Sequence, residues 1–150
     1  MKYYTREAMD SDTLWNENRE KYEREYERVR HKLPKNFLEE YEKKCEDDIR
    51  FHDNEILSIQ LTNTRNGRYC NSGIIEILSH FGDEKFFLHY EGIRKYCASF
   101  DLERYTRIYY LYDEFLFLPD KWLSHGIYVG DDNTIYIEFR KLTFHKVQVK

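Results

Sequence analysis

The sequence predicts an α+β domain: an N-terminal helical pair (about 12–33 and 35–48) followed by a mostly antiparallel sheet of about six or seven strands. Three observations predict it. Lys, Arg, Asp and Glu supply 26 of the first 50 residues and only 26 of the remaining 100. Up to Ile49 the apolar residues recur at helical spacing, and beyond Phe51 they alternate every second position. No helix-length pattern separates the later strands, which disfavours parallel crossovers. The chain reads as one domain, helical over 1–50 and β-sheet over 51–150.

In the first helix Asp10, Ser11 and Asp12 offer N-cap oxygens to the free amides of the first turn. Trp15, Tyr22, Tyr26, Val29 and Leu33 form one narrow apolar stripe. Glu17–Lys21, Glu20–Arg24 and Glu27–His31 are i,i+4 pairs in the favoured orientation, so the charge run reads as a solvated face. Pro34 stops this helix and opens the next, which Phe37, Leu38, Tyr41, Cys45 and Ile49 mark.

Strand grammar follows. Leu57, Ile59 and Leu61 alternate with Ser58 and Gln60, which predicts one buried and one wetter face, and Asn66-Gly67 marks a turn. Further strands are expected over 74–81, 85–90, 96–100, 108–118, 122–129 and 134–144. Gly82-Asp83 and Gly130-Asp131-Asp132-Asn133 read as tight reversals. A change of face between Phe139 and Leu142 suggests a bulge near Arg140 and Lys141.

Composition limits the function classes. Aromatics are 17% of the chain, with 14 Tyr, so large rings are expected to fill the core. The net charge of −4 comes without a dense basic block, and nucleic-acid binding is not expected. Cys45, Cys70 and Cys97 are odd in number and form no C-x-x-C, so zinc-ribbon and thioredoxin readings fail. Three reduced thiols fit a cytoplasmic protein. The start carries no signal-like apolar stretch, and nothing approaches the roughly 18 apolar residues of a membrane span.

Two segments stand out for chemistry: Phe51-His52-Asp53 at the helix-to-strand handover, and Leu111-Tyr112-Asp113-Glu114 inside the aromatic strand. Neighbouring strand residues point to opposite faces, so at least one of Asp113 and Glu114 is expected on the packed side unless a bulge intervenes. A buried carboxylate needs hydrogen bonds or a cation, and His125 on the following strand is a candidate partner. His52, Asp53, Asp113, Glu114 and His125 together would suit a divalent metal or a general acid and base. The structural alternative has Asp53 capping its turn beside His52, while the Asp113-Glu114 acids pair with Arg or Lys across the sheet. No P-loop, G-x-G-x-x-G, G-x-S-x-G or H-E-x-x-H occurs.

The opening Met1-Lys2-Tyr3-Tyr4-Thr5-Arg6-Glu7, the run Lys32-Leu33-Pro34-Lys35-Asn36, the His52–Ile59 segment and Tyr109–Glu114 together resemble a bacterial family, domain-of-unknown-function family 4085. Tyr109 and Tyr110 stand where that family usually has tryptophan, and Ser124 and Gly126 replace more strand-like neighbours of the histidine. The resemblance implies a shared fold and singles out His52, Asp53, Tyr112, Asp113, Glu114 and His125. It brings no activity, substrate or cofactor.

The expected function is a non-enzymatic cytoplasmic module that binds a protein partner, through the helix stripe and the sheet edges, with no cofactor. The alternative is a metal-dependent hydrolase or small-ligand-binding domain. There His52, Asp53 and His125 would be ligands, and Asp113 or Glu114 a ligand or general base. A third reading makes the same residues a stability network. Their spatial arrangement separates the three.

Overall fold

Why the strands outnumber the periodic runs is visible once the chain is traced. The computed structural model describes residues 1–43, 51–63, 71–99 and 106–150. Cys45, Ile49, the Asn66-Gly67 turn, Cys70 and Phe100 lie outside the described residues, as do residues 44–48 of the helix expected over 35–48, which stops at Tyr41 with Glu42 as its C-cap. The helices are α1 (Arg6–Met9), α2 (Asp12–Arg30) and α3 (Lys35–Tyr41). Among the described residues nine strands follow: β1 (Asn54–Asn63), β2 (Asn71–Leu78), β3 (Glu84–Glu91), β4 (Lys95–Ser99), β5 (Ile108–Tyr110), β6 (Tyr112–Phe117), β7 (Leu123–Gly130), β8 (Asn133–Phe139) and β9 (Lys141–Gln148). The α+β class holds. Its strands form two antiparallel sheets, β5-β1-β2-β3-β9 and β4-β8-β7-β6, in place of a single sheet of six or seven.

The extra strands come from bends. The run over 108–118 is broken at Leu111, whose N–H leaves the first sheet to donate to the Tyr128 carbonyl at 3.1 Å. The run over 134–144 is broken at Arg140, whose N–H donates to Glu91 at 3.0 Å. This is the position read as a bulge, and it is a corner between sheets. The opposite chain turns the same corner, with the Arg94 N–H donating to Glu138 at 3.0 Å. Counting each bent run as one strand closes the neighbours into a ring of six, in the order β1, β2, β3–β4, β9–β8, β7 and β6–β5. Bends of this kind let one strand serve two packed sheets.

Local chemistry agrees with these elements. Ser11 caps α2, its Oγ accepting from the Leu14 N–H at 3.4 Å. Thr5 caps the unanticipated α1. Glu17–Lys21 forms across one helical turn at 3.7 Å. The β7–β8 turn places Asp131 and Asp132 in the left-handed region (φ 47° and 65°) with Gly130 opposite Asn133, as a type I′ hairpin requires. In the β2–β3 turn the Ser79 Oγ accepts from both Asp83 and Glu84 N–H groups.

One core serves every layer. Tyr22, Tyr26 and Val29 of α2 and Phe37 and Tyr41 of α3 are buried in one cluster with Ile75 and Leu88 of the first sheet and Phe115 and Ile137 of the second. The helix stripe from Tyr22 to Leu33 is therefore committed to the core. Phe37 meets Tyr41, Phe115 and Phe144 at ring separations of 4.8, 5.5 and 5.6 Å. Burying a side chain of this size contributes roughly 1.5–3 kcal/mol, and paired rings add to it.

Candidate functional site

The β6 strand alternates faces, and its register decides which acid meets which partner. Asp113 lies opposite Ile127 and Phe115 opposite His125, so Asp113 and His125 are diagonal neighbours on the inner face. Both are buried. His125 Nε2 lies 3.0 Å from Asp113 Oδ2 and 3.1 Å from the Tyr110 hydroxyl, and its Nδ1 lies 2.7 Å from the Tyr90 hydroxyl. Tyr41 of α3 donates to the Asp113 carboxylate at 2.7 and 2.8 Å to its two oxygens. The imidazole stacks on Phe115 at 3.8 Å. With the ring proton on Nε2, Nδ1 accepts from Tyr90 and Nε2 donates to Asp113, so each close pair has one donor and one acceptor.

This network joins α3, the first sheet through Tyr90 and Tyr110, and the second sheet through Asp113 and His125. Burial, followed by the nearby Asp113 charge, holds the Tyr90 and Tyr110 hydroxyls well above the usual tyrosine range. Tyr22 is raised for the same two reasons. Its oxygen accepts from the Phe115 N–H at 2.9 Å, capping the outer edge of β6.

Glu114 points the other way and is buried as well. The N-terminal segment covers that face. Glu114 accepts backbone N–H bonds from Lys2 at 2.7 Å, Tyr3 at 2.6 Å and Tyr4 at 2.7 Å. A cleft of about 230 Å³ remains beside it, lined also by Ser124 and Tyr136. The expected Arg or Lys partners across the sheet are thus replaced. Asp113 is held by hydroxyls and an imidazole, Glu114 by main-chain amides.

His52 and Asp53 form a separate pair. His52 Nδ1 lies 3.1 Å from Asp53 Oδ2, in a turn where Phe51 and Asp53 have left-handed backbones (φ 54° and 63°). The Asp53 N–H donates to the Tyr110 carbonyl at 2.9 Å, which fixes the turn against β5. Tyr112 packs its ring against His52, Tyr4, Trp15 and Tyr128 at centroid separations of 5.3, 5.8, 4.9 and 6.4 Å. Partial burial and the Asp53 charge raise its hydroxyl above the usual value.

The six singled-out residues therefore fall into three places: Asp113 with His125 in the core, Glu114 under the N-terminal segment, and His52 with Asp53 at a half-exposed turn beside Tyr112. The five-residue metal or acid–base constellation does not assemble. Among the described residues no group of three or more His, Cys, Asp or Glu side chains is placed to hold a metal ion. The partners missed from sequence are Tyr41, Tyr90 and Tyr110. Each sits on a buried face, and the signal available was the abundance of tyrosine, whose hydroxyl needs a partner when the ring is buried. No protein-family model, curated protein or solved structure matches the chain.

Proposed function

We propose that this chain is a non-enzymatic cytoplasmic module that binds a protein partner, and that its acid–histidine network is a structural clasp. The observation that carries the reading is that both Asp113 oxygens and both His125 ring nitrogens have partners inside the core. A general base must reach the proton it abstracts, directly or through one water. Asp113 and His125, at 6% and 0% exposure, meet no such approach among the described residues. The bacterial-family resemblance belongs to the same proposal and is compatible with it, because that family brings no chemistry.

With the helix stripe from Tyr22 to Leu33 buried, contact falls to the exposed sheet features. β4 ends its sheet and is largely exposed. Phe81 stands 88% exposed at the β2–β3 turn, an aromatic ring of the kind that anchors interfaces. By contrast the β6 edge is capped by Tyr22, and the Phe144 carbonyl of β9 is taken by Asn36 at 2.7 Å. No described helix is long and apolar enough to cross a membrane.

The test is affinity capture from the native host, followed by reconstitution with the purified candidate. A complex that re-forms from pure components and is weakened by Phe81→Ser supports the proposal. Failure to reconstitute any complex overturns it, as does a turnover abolished by His125→Gln in protein that remains folded.

A further inference from the structure

The outer face of the first sheet carries two histidines that neither the clasp nor the candidate site uses. Residues 87, 89 and 91 of β3 point away from the core, because Phe86, Leu88 and Tyr90 point into it. On β9 the same holds for 143 and 145, between buried Leu142 and Phe144. The register sets Phe87 opposite His145 and His89 opposite Thr143, so the two imidazoles are diagonal neighbours on one surface. His89 Nε2 and His145 Nδ1 face each other at 3.2 Å. Phe87 stacks flat on the His145 ring, at 4.5 Å and 6°, which limits its rotation.

A surface histidine pair with facing nitrogens either shares a proton or chelates a cation. Metal–nitrogen bonds of about 2.0–2.1 Å spanning that 3.2 Å gap would meet at about 100°. That angle lies near those of tetrahedral and square-planar ions. Two neutral nitrogen donors select borderline metals over the oxygen-seeking Mg²⁺ and Ca²⁺. Both donors sit on paired strands in the middle of a hydrogen-bonded ladder, so little ordering accompanies binding. Glu91 and Lys141, one pair further along, neutralise each other at 2.9 Å, which leaves no fixed cation bearing solely on the site from that end.

We propose that His89 and His145 form a two-histidine chelate on the outer sheet face that binds one Cu²⁺, Ni²⁺ or Zn²⁺ per chain, with water completing the coordination. Once one imidazole holds the ion, the other binds it intramolecularly at high effective concentration. Removing either ring should therefore weaken affinity on the order of a hundredfold.

The experiment titrates NiCl2, ZnCl2 and CuCl2 separately into the untagged full chain by calorimetry, alongside His89→Gln, His145→Gln and His52→Gln. Circular dichroism confirms that each variant is folded; none of the three positions is in the buried core. The expected result is one ion per chain, with the order Cu²⁺ tightest. Binding should weaken about a hundredfold on either sheet substitution and be kept in His52→Gln. Zinc should also shift the ring nitrogen resonances of His89 and His145 in the nuclear magnetic resonance spectrum. Equal binding by wild type and His89→Gln, loss on His52→Gln, or one ion per two chains would each overturn the proposal.

Discussion

At the scale of single residues the molecule depends on polar atoms that are fully enclosed. Asp113 is the acceptor for Tyr41 and His125 at once. Removing it strands two buried donors, and breaking such a buried network by one partner costs about 3–5 kcal/mol. Asp113→Ala should lower the urea midpoint accordingly, while leaving partner binding unchanged at temperatures where the variant is folded. A second consequence concerns pH. Burial and the Asp113 charge keep the Tyr22, Tyr90 and Tyr110 hydroxyls protonated beyond the ordinary tyrosine value of 10.0. The unfolded chain ionises them at that ordinary value and then binds fewer protons than the fold, so stability falls as pH rises. Their contribution is whole below about pH 10 and is lost as pH climbs from there toward the folded values. Urea unfolding on either side of about pH 10, with tyrosinate absorbance as the second probe, should show exposed rings titrating first and these three only on unfolding. Early titration of all 14 tyrosines in folded protein would contradict it.

At the scale of elements the question is how strand edges and chain ends are held. β6 ends its sheet, and its exposed side is closed by two devices. The Tyr22 hydroxyl takes the Phe115 N–H, and Glu114 gathers three amides of the N-terminal segment. Hydrogen bonds to a charged acceptor contribute about 1.5–3 kcal/mol. Glu114→Ala should accelerate hydrogen exchange at the Lys2, Tyr3 and Tyr4 amides and leave exchange in β2 and β3 unaltered. Unchanged exchange at those three amides would show that the segment is held by Tyr3 and Tyr4 packing alone. The Tyr4 ring does meet Trp15, Tyr22 and Tyr112 at 5.0, 5.3 and 5.8 Å.

At the scale of the whole molecule, α2, α3 and both sheets share one apolar cluster, and the clasp ties α3 to both sheets. Such an arrangement predicts a single cooperative transition. Far-ultraviolet circular dichroism, which follows backbone structure, and near-ultraviolet signals from the buried tyrosines should report coincident melting curves. Separated curves would mean that the helical front and the sheets unfold as independent units.

Much of this was legible in the chain. The two periodicities gave the α+β class, and Gly130 to Asn133 named the β7–β8 hairpin; of the stripe Trp15, Tyr22, Tyr26, Val29 and Leu33, the middle three are the buried face of α2, Leu33 is buried just past its end and Trp15 is partly exposed. The Asp113–His125 pairing was also open to inference, because strand alternation puts an acid inward and burial demands a partner. Pattern alone could not separate one sheet from two. A strand that bends from one sheet into another keeps its alternation on both sides, and only a local shift at Leu111 or Arg140 marks the corner. Nor could it find the tyrosine hydroxyls around His125, which come from α3, β3 and β5. Local sequence determined which residues turn inward in α2, β3 and β8, since that depends on neighbours two to four positions apart; in β1 it did not, because an irregularity between Ile56 and Ser58 buries Ile56 and leaves Leu57 and Leu61 exposed. The tertiary structure alone decided which inward residues meet, because the contacts between Tyr41, Tyr90, Asp113 and His125 depend on the register and closure of distant strands.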